Sequence, residues 1–250
     1  MSTVMIVLLF GLTMMAIERW RPGRHFEKRQ GWWYRATFLN LMQAISVLIG
    51  TLTWDRWLPG HSLTPGMHWS LPVQITCGYL LITFVYYWWH RARHEIPVLW
   101  RWFHQLHHSP ARIEIITSFY KHPLEILCNG FLSSFLLYVV LGLSVPAVTT
   151  VVLVTGIAEL FYHWNVRTPY WLGFFFQRPE SHCIHHQAGY HRNNYSDLPV
   201  WDMLFGTFEN PRHQPEKCGF DDTCETQLLP MLMGHDIHHE AAKARKEALS

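Results

Sequence analysis

The chain alternates between long apolar runs and short polar stretches, a pattern typical of helices that cross a lipid bilayer. Five apolar segments stand out, at residues 2–17, 37–57, 71–89, 124–142 and 145–162. Each is near the roughly 20 residues that a helix needs to span the hydrocarbon core. The first is short, and it lacks the basic start and cleavage site of a signal peptide, so it is either a span or an interfacial helix. We therefore predict an all-α integral membrane protein with four to five transmembrane helices.

The basic residues between these segments indicate how the helices are oriented. Residues 18–36 carry six Lys and Arg, whereas residues 58–70 and 142–146 carry none. Loops rich in Lys and Arg stay on the cytoplasmic side of a membrane. With this orientation, all of the 20 Lys and Arg except Arg56 fall on the cytoplasmic side. We expect the protein in a bacterial inner membrane, or in the endoplasmic reticulum if it is eukaryotic.

The composition agrees with a single membrane domain over residues 1–250. Hydrophobic residues make up 49% and charged residues 15%, and the net charge of +2 does not indicate a nucleic-acid partner. The five cysteines are odd in number and lack CxxC spacing, so they predict neither a disulfide framework nor a thiolate zinc site. Cys183 lies among histidines and is expected to be a packing residue.

Histidine is the unusual residue, with 18 copies that fall mostly in clusters beside the apolar segments. Residues three and four apart share one helix face, so each cluster is predicted to present its imidazoles in one direction. The helical hairpin at residues 124–162 returns the chain to the face that carries the first clusters. Neutral imidazoles suit transition metals, and nine of them exceed the needs of one six-coordinate ion. The predicted ligands of two metal ions are His90, His94, His104, His107, His108, His163, His182, His185 and His186.

Other polar residues near the clusters leave alternatives open. His191 is either a ligand or a structural neighbour of the ligands, and His122, which precedes a proline, is mainly a helix cap. Glu159 lies one turn before His163 and either orients an imidazole and offsets charge or ends a helix without a partner. Nothing in the sequence returns the tail histidines to the site. These tail residues are His235, His238 and His239, and the histidines predicted to lie in loops are His25, His61, His68 and His213.

Six stretches of the chain resemble the fatty acid hydroxylase and sterol desaturase superfamily of membrane di-iron oxygenases. They are WWHRARH (88–94), WRWFHQLHHS (100–109), FYKHPLEIL (119–127), FYHWNVRTP (161–169), PESHCIHH (179–186) and NNYSDLPVWDMLFGTFENP (193–211). The last stretch resembles this superfamily rather than the acyl-CoA desaturases, whose histidine spacing is otherwise similar. The resemblance is specific for the metal site and unspecific for the substrate.

The resemblance implies that the nine histidines bind two iron ions and that dioxygen is a co-substrate. It also implies a membrane anchor with a cytoplasmic helical cap, a catalytic region over residues 71–211 and a polar C-terminal tail over 212–250. Some relatives place a histidine where this chain has Glu159, which leaves one ligand of one metal open.

The expected activity is hydroxylation of an unactivated C–H bond in a fatty acyl or sterol-type lipid, with desaturation as the alternative. The chain has neither a haem motif nor a GxGxxG fingerprint, so we expect a separate electron donor such as a cytochrome b5-like protein, a ferredoxin or a reductase. A histidine-rich metal transporter is a remote alternative, as is a b-type haem protein. Both require histidines inside the spans, whereas these histidines lie at the span ends.

Overall fold

The computed structural model describes residues 3–240, and the regular secondary structure of this part of the chain is helical apart from one isolated β-bridge between Gln187 and Cys218. The all-α prediction is thereby confirmed, and residues 241–250 of the predicted polar tail lie outside the described residues. The α-helices are α1 Thr3–Trp20, α2 Trp32–Leu52, α3 Trp54–Trp57, α4 Leu71–Glu95, α5 Pro97–Leu99, α6 Gln105–His108, α7 Pro123–Ser134, α8 Val145–Tyr162, α9 Pro179–His185, α10 Pro199–Phe205, α11 Asp222–Glu225 and α12 Leu228–Leu232. Two π-helical segments, Trp100–His104 and Phe135–Val140, continue α5 and α7, and short 3-10 turns lie at Gly66–His68, Ile115–Thr117 and Tyr170–Phe174.

Four helical stretches are long and apolar enough to cross a membrane, as the sequence predicted. They are Trp32–Trp57, Leu71–Glu95, Pro123–Val140 and Val145–Tyr162. The last three begin with a proline in the first helical turn, where a missing backbone N–H costs nothing. That the first apolar segment, which forms α1, also spans the membrane stays a prediction.

The third predicted segment is longer than expected, because α4 continues six residues beyond residue 89 to Glu95. His90 and His94 are therefore part of the last turns of the helix that contains the span, which agrees with their predicted position at the span end. Helices α4 and α8 end, and α7 begins, at the same end of the bundle, which we call the histidine end. Helix α2 packs against α7, and α4 packs against α8.

A hydrophobic cluster at the histidine end joins the start of α2 to the segments that carry histidines. The rings of Trp32 and Tyr120 stack with their centroids 5.4 Å apart, and Trp100 and Leu106 are buried beside them. The tail completes this cluster with Phe220, Cys224, Met231 and Ile237. Residues 218–237 thus pack against the histidine end of the bundle. The sequence did not indicate this return, because the tail's few apolar positions have no long periodic run.

The contact between α4 and α8 depends on Gly78. A Cβ atom at this position would lie 2.9 Å from Leu143 and 3.0 Å from Val151. Gly156, on α8, is a matched position at which a Cβ would meet no atom within 4 Å.

We expect Gly78→Leu to destabilise the protein by about 1–3 kcal/mol, because the added side chain overpacks the helix contact. Gly156→Leu should not. Thermal unfolding of the two variants in detergent checks this difference. Equal melting temperatures would contradict the close packing at Gly78.

Candidate metal centre

The nine predicted histidines come together in two adjacent groups at the histidine end of the bundle. Within each group, one ring nitrogen of every histidine lies within 4.8 Å of the others. The first group, called pocket one, is His90, His94, His104, His108 and His185, and the second, called pocket two, is His107, His163, His182 and His186. The rings of His108 and His186 stack with centroids 4.1 Å apart, so the two pockets share a wall.

The expectation that each cluster points in one direction is wrong for two of the three clusters. His104 and His108 face pocket one, while His107, between them in sequence, faces pocket two. In the cluster at residues 182–186, the first and last histidines face pocket two and His185 faces pocket one. In both clusters, the two histidines that are four residues apart thus share a pocket. The histidine that lies three residues after the first one faces the other pocket. The helical spacing therefore distributes each cluster over both pockets.

Ring nitrogens within a pocket lie at distances typical of ligands of one ion. The Nε2 atoms of His90 and His104 are 2.9 Å apart, and those of His104 and His108 are 3.1 Å apart. In pocket two, the Nε2 atoms of His163 and His182 are 3.1 Å apart. Two nitrogens that each lie about 2.1 Å from a common metal ion have this order of separation.

Backbone carbonyls hold the outer nitrogens of four histidines. The Nδ1–H of His90 donates to Tyr195 O at 2.7 Å, and that of His185 donates to Asn193 O at 2.6 Å. His163 donates to Glu159 O at 2.9 Å. In the same way, His107 donates to Tyr120 O at 3.4 Å. A carbonyl only accepts, so each ring carries its proton on Nδ1 and presents a bare Nε2 to the pocket.

The bare nitrogens then face one another. His107 and His163 oppose their Nε2 lone pairs at 3.3 Å. The buried Nε2 atoms of His94 and His185 have no hydrogen-bond partner among residues 3–240. Buried polar atoms without partners are costly, and a bound cation satisfies them all at once. The donor set therefore fits metal ions.

Burial keeps the rings in the form that binds metal. It lowers the pKa of His163 and of His185 to about 3. Burial also holds the pKa of His107 and of His186 well below the ordinary value, and the neighbouring histidines act in the same direction. A neutral imidazole has a free lone pair, so the pockets are ready to coordinate at neutral pH.

One buried carboxylate touches pocket one. Glu125 forms an ion pair with Arg93 and accepts from the Nδ1 side of His104, 3.2 Å away. The carboxylate thereby orients His104 and offers negative charge close to where cations would lie. Glu125 was only one of several carboxylates near the clusters in the sequence, and the tertiary structure selects it.

The residues that were left open have clear positions. His122 is a helix cap, as expected, because its Nδ1 accepts from the N–H of Leu124. His191 lies behind pocket one with its Nδ1 3.2 Å from that of His108. Glu159 forms an ion pair with Lys121.

The tail histidines come closer than the sequence indicated. The ring of His238 packs 5.1 Å from that of His191, whereas His239 is exposed and contacts Asp236.

The sequence did not indicate the role of the segment that orients two histidines of pocket one. Asn193 and Asn194 both have positive φ, and this turn aims the Asn193 and Tyr195 carbonyls at His185 and His90. The carboxylate of Asp202 accepts the backbone N–H of Tyr195 at 2.8 Å and so holds the turn in place. Consecutive asparagines were the available signal, because asparagine tolerates the left-handed region.

Comparison with known proteins identifies related chains. A family model described as fatty acid hydroxylase matches residues 75–207. The chain is 32% identical over 222 residues to ornithine lipid hydroxylase OlsE of Rhizobium tropici, which covers 84% of this chain and 66% of that protein. It is 30% identical over 155 residues to alkylglycerol monooxygenase of Homo sapiens, covering 56% and 32% respectively.

A third relative is very-long-chain aldehyde decarbonylase GL1-8 of Oryza sativa subsp. indica, 34% identical over 164 residues, with 61% of this chain and 58% of that protein covered. The chain thus spans from 32% to 66% of the length of these three relatives. No solved structure matches the chain. The resemblance stated from the histidine motifs is confirmed by these matches.

We expect each pocket to hold one metal ion. His94→Ala and His182→Ala should each halve the metal content per chain, since each removes a nitrogen from one pocket only. Elemental analysis of detergent-purified protein measures this, and His239→Ala is the control because that exposed ring lies outside both pockets. An unchanged content in both pocket variants would contradict the assignment.

Proposed function

The chain belongs to the fatty acid hydroxylase family, and from this premise we propose that it is a membrane oxidoreductase that hydroxylates an unactivated C–H bond of a lipid with dioxygen. The matched region contains all nine histidines of the two pockets. Two of the relatives are named for oxidising lipids, an ornithine lipid and an alkylglycerol. A lipid substrate also suits an integral membrane protein with four apolar helices.

The observation that carries the proposal is the junction of the two pockets with a cavity inside the helix bundle. The cavity has a volume of about 590 Å³, and His90, His104 and His107 form part of its wall. Histidines of both pockets therefore face the same space. A substrate in the cavity would lie beside both.

We propose iron as the metal in both pockets, held by the nine histidines. Imidazole ligands suit iron, and zinc has no redox chemistry. When bound, such a pair of ions supplies the reduction of dioxygen and the oxidation of an unactivated C–H bond. The protein's own residues bury the site, keep the imidazoles neutral and hold their Nε2 atoms inward. Arg93 and Glu125 stabilise His104 from behind.

The electrons come, in this proposal, from a separate donor protein. A cytochrome b5-like protein, a ferredoxin or a reductase could supply them. The distribution of Lys and Arg favours the cytoplasmic side for the histidine end, where a soluble donor could dock.

Expression of the chain in a host that lacks it should produce a lipid heavier by one oxygen atom. Mass spectrometry of lipid extracts measures this, and growth under heavy-isotope dioxygen should move the label into the product. The matched control is the double variant His94→Ala/His182→Ala, which should form no product.

A lipid lighter by two hydrogen atoms would instead identify a desaturase. If the wild type and the double variant gave identical lipid profiles in hosts of different lipid composition, the oxygenase proposal would be wrong.

A further inference from the structure

The cavity beside the pockets extends from the histidine end along the membrane-spanning helices. Most of its wall is built from α2, α4, α7 and α8. On α8 the lining extends from Val148 to Tyr162, which corresponds to about 21 Å at 1.5 Å per residue. The cavity therefore reaches from the pockets across much of the hydrocarbon core.

The cavity opens sideways. Four of its lining residues are also exposed on the surface of the bundle: Val47 and Thr51 on α2, and Thr149 and Val152 on α8. Val47 is 55% exposed and Val152 is 47% exposed. These four residues, which we call the side opening, lie in the middle and outer parts of their spans. The tails of a membrane lipid can therefore reach the cavity from the bilayer.

An ion pair lies in the cavity wall at the histidine end. Lys121 and Glu159 bind each other, and their side chains are only 11% and 19% exposed. Lys121 follows Tyr120, whose carbonyl holds His107, and the carbonyl of Glu159 holds His163. The pair is thus attached to the backbone that positions pocket two.

Lys121 and Glu159 retain further hydrogen-bonding capacity beyond the bond that they form with each other. An ammonium group has three donors and a carboxylate has two acceptor oxygens. Buried or intramembrane charges are costly and are a mark of function in membrane proteins. A positive and a negative group side by side match a ligand that itself carries both signs.

We propose that the cavity takes a lipid with a zwitterionic headgroup, admits its tails through the side opening, holds that headgroup at Lys121 and Glu159, and directs oxidation to the headgroup or the carbons next to it. This inference rests on the proposed function. The substrate class is therefore a polar membrane lipid rather than a free fatty acid bound with its tail at the metals.

Depth in the membrane supports this orientation. Lipid headgroups lie at the level where spanning helices end, and the pair lies at the start of α7 and the end of α8. A lipid of that leaflet therefore has its headgroup at the level of the pockets and its tails at the level of the side opening. Its tails then extend along the cavity toward Thr51 and Val148.

The reaction balances with the donor already proposed. One C–H bond of the lipid breaks and one C–O bond forms. Dioxygen takes two electrons from the external donor protein and two protons from water. One oxygen atom enters the lipid as a hydroxyl group, and the other leaves as water.

The first test locates the new hydroxyl group by tandem mass spectrometry of the product. We expect it on the headgroup fragment or on the carbons next to it. A hydroxyl group near the end of an acyl chain would overturn the inference while leaving the proposed function intact.

The second test measures lipid binding, and it does not depend on activity. Phosphatidylethanolamine, which carries both signs, is titrated into detergent-purified protein, with a free fatty acid as the comparison. Glu159→Gln should weaken phosphatidylethanolamine binding roughly tenfold, the effect of losing a charged hydrogen bond, at unchanged metal content. Glu95→Gln is the matched control, since Glu95 pairs with Arg91 at the same end but outside the cavity.

A third variant tests the cavity itself. Gly156→Leu places a side chain in its open space, and we expect it to reduce binding of phosphatidylethanolamine. Val154→Leu adds bulk on the exposed face of the same helix and should leave binding unchanged.

Equal binding by Glu159→Gln and Glu95→Gln would overturn the role of the ion pair, and tighter binding of the fatty acid would overturn the substrate class. If binding follows these expectations but no lipid gains oxygen, the proposed function fails and the binding site stands.

Discussion

Unprotonated ring nitrogens face one another inside buried pockets, and the rest of the structure depends on this constraint. Carbonyls of Tyr120 and Glu159 fix the protons of His107 and His163 on the outer side, so two lone pairs face each other at 3.3 Å. Burial then prevents protonation from relieving the repulsion, because a charged imidazole would lose its hydration. Only a cation between the rings satisfies both demands. The fold must therefore hold the histidines rigidly until the cation binds.

The rigidity comes from three directions. Spanning helix α4 presents His90 and His94 one turn apart, and the tight turn at Asn193 and Asn194 supplies the carbonyls behind pocket one. Pocket two is held by the end of α8 and the segment before α7. The hydrophobic cluster around Trp32 and Trp100 joins these parts, and the tail contributes to it. A chain segment that looks like a polar appendage in the sequence thus helps to fix the site.

The same helices that hold the metal pockets also shape the space for substrate. Pocket walls and cavity wall share His90, His104 and His107, so a substrate in the cavity cannot be far from either pocket. Small side chains make this possible, since Gly156 leaves open space on α8 whereas Gly78 allows α4 and α8 to touch. The proposed metal chemistry and the proposed access from the membrane would therefore both follow from one packing arrangement.

Much of this protein was determined by local features of the sequence. The apolar runs predicted the spanning helices, since a bilayer demands continuous hydrophobic length, and the histidine spacing predicted all nine members of the two pockets. The division of the nine between pockets was not predictable, because it depends on the angle at which short helices approach one another. The roles of Glu125, the Asn193 turn and the Lys121–Glu159 pair were not predictable either. Glu125 contacts His104, which is 21 residues away in the sequence, and Asn193 contacts His185, which is 8 residues away. Lys121 and Glu159 are 38 residues apart. Helical periodicity determines which residues share a face, but only tertiary packing decides what that face meets.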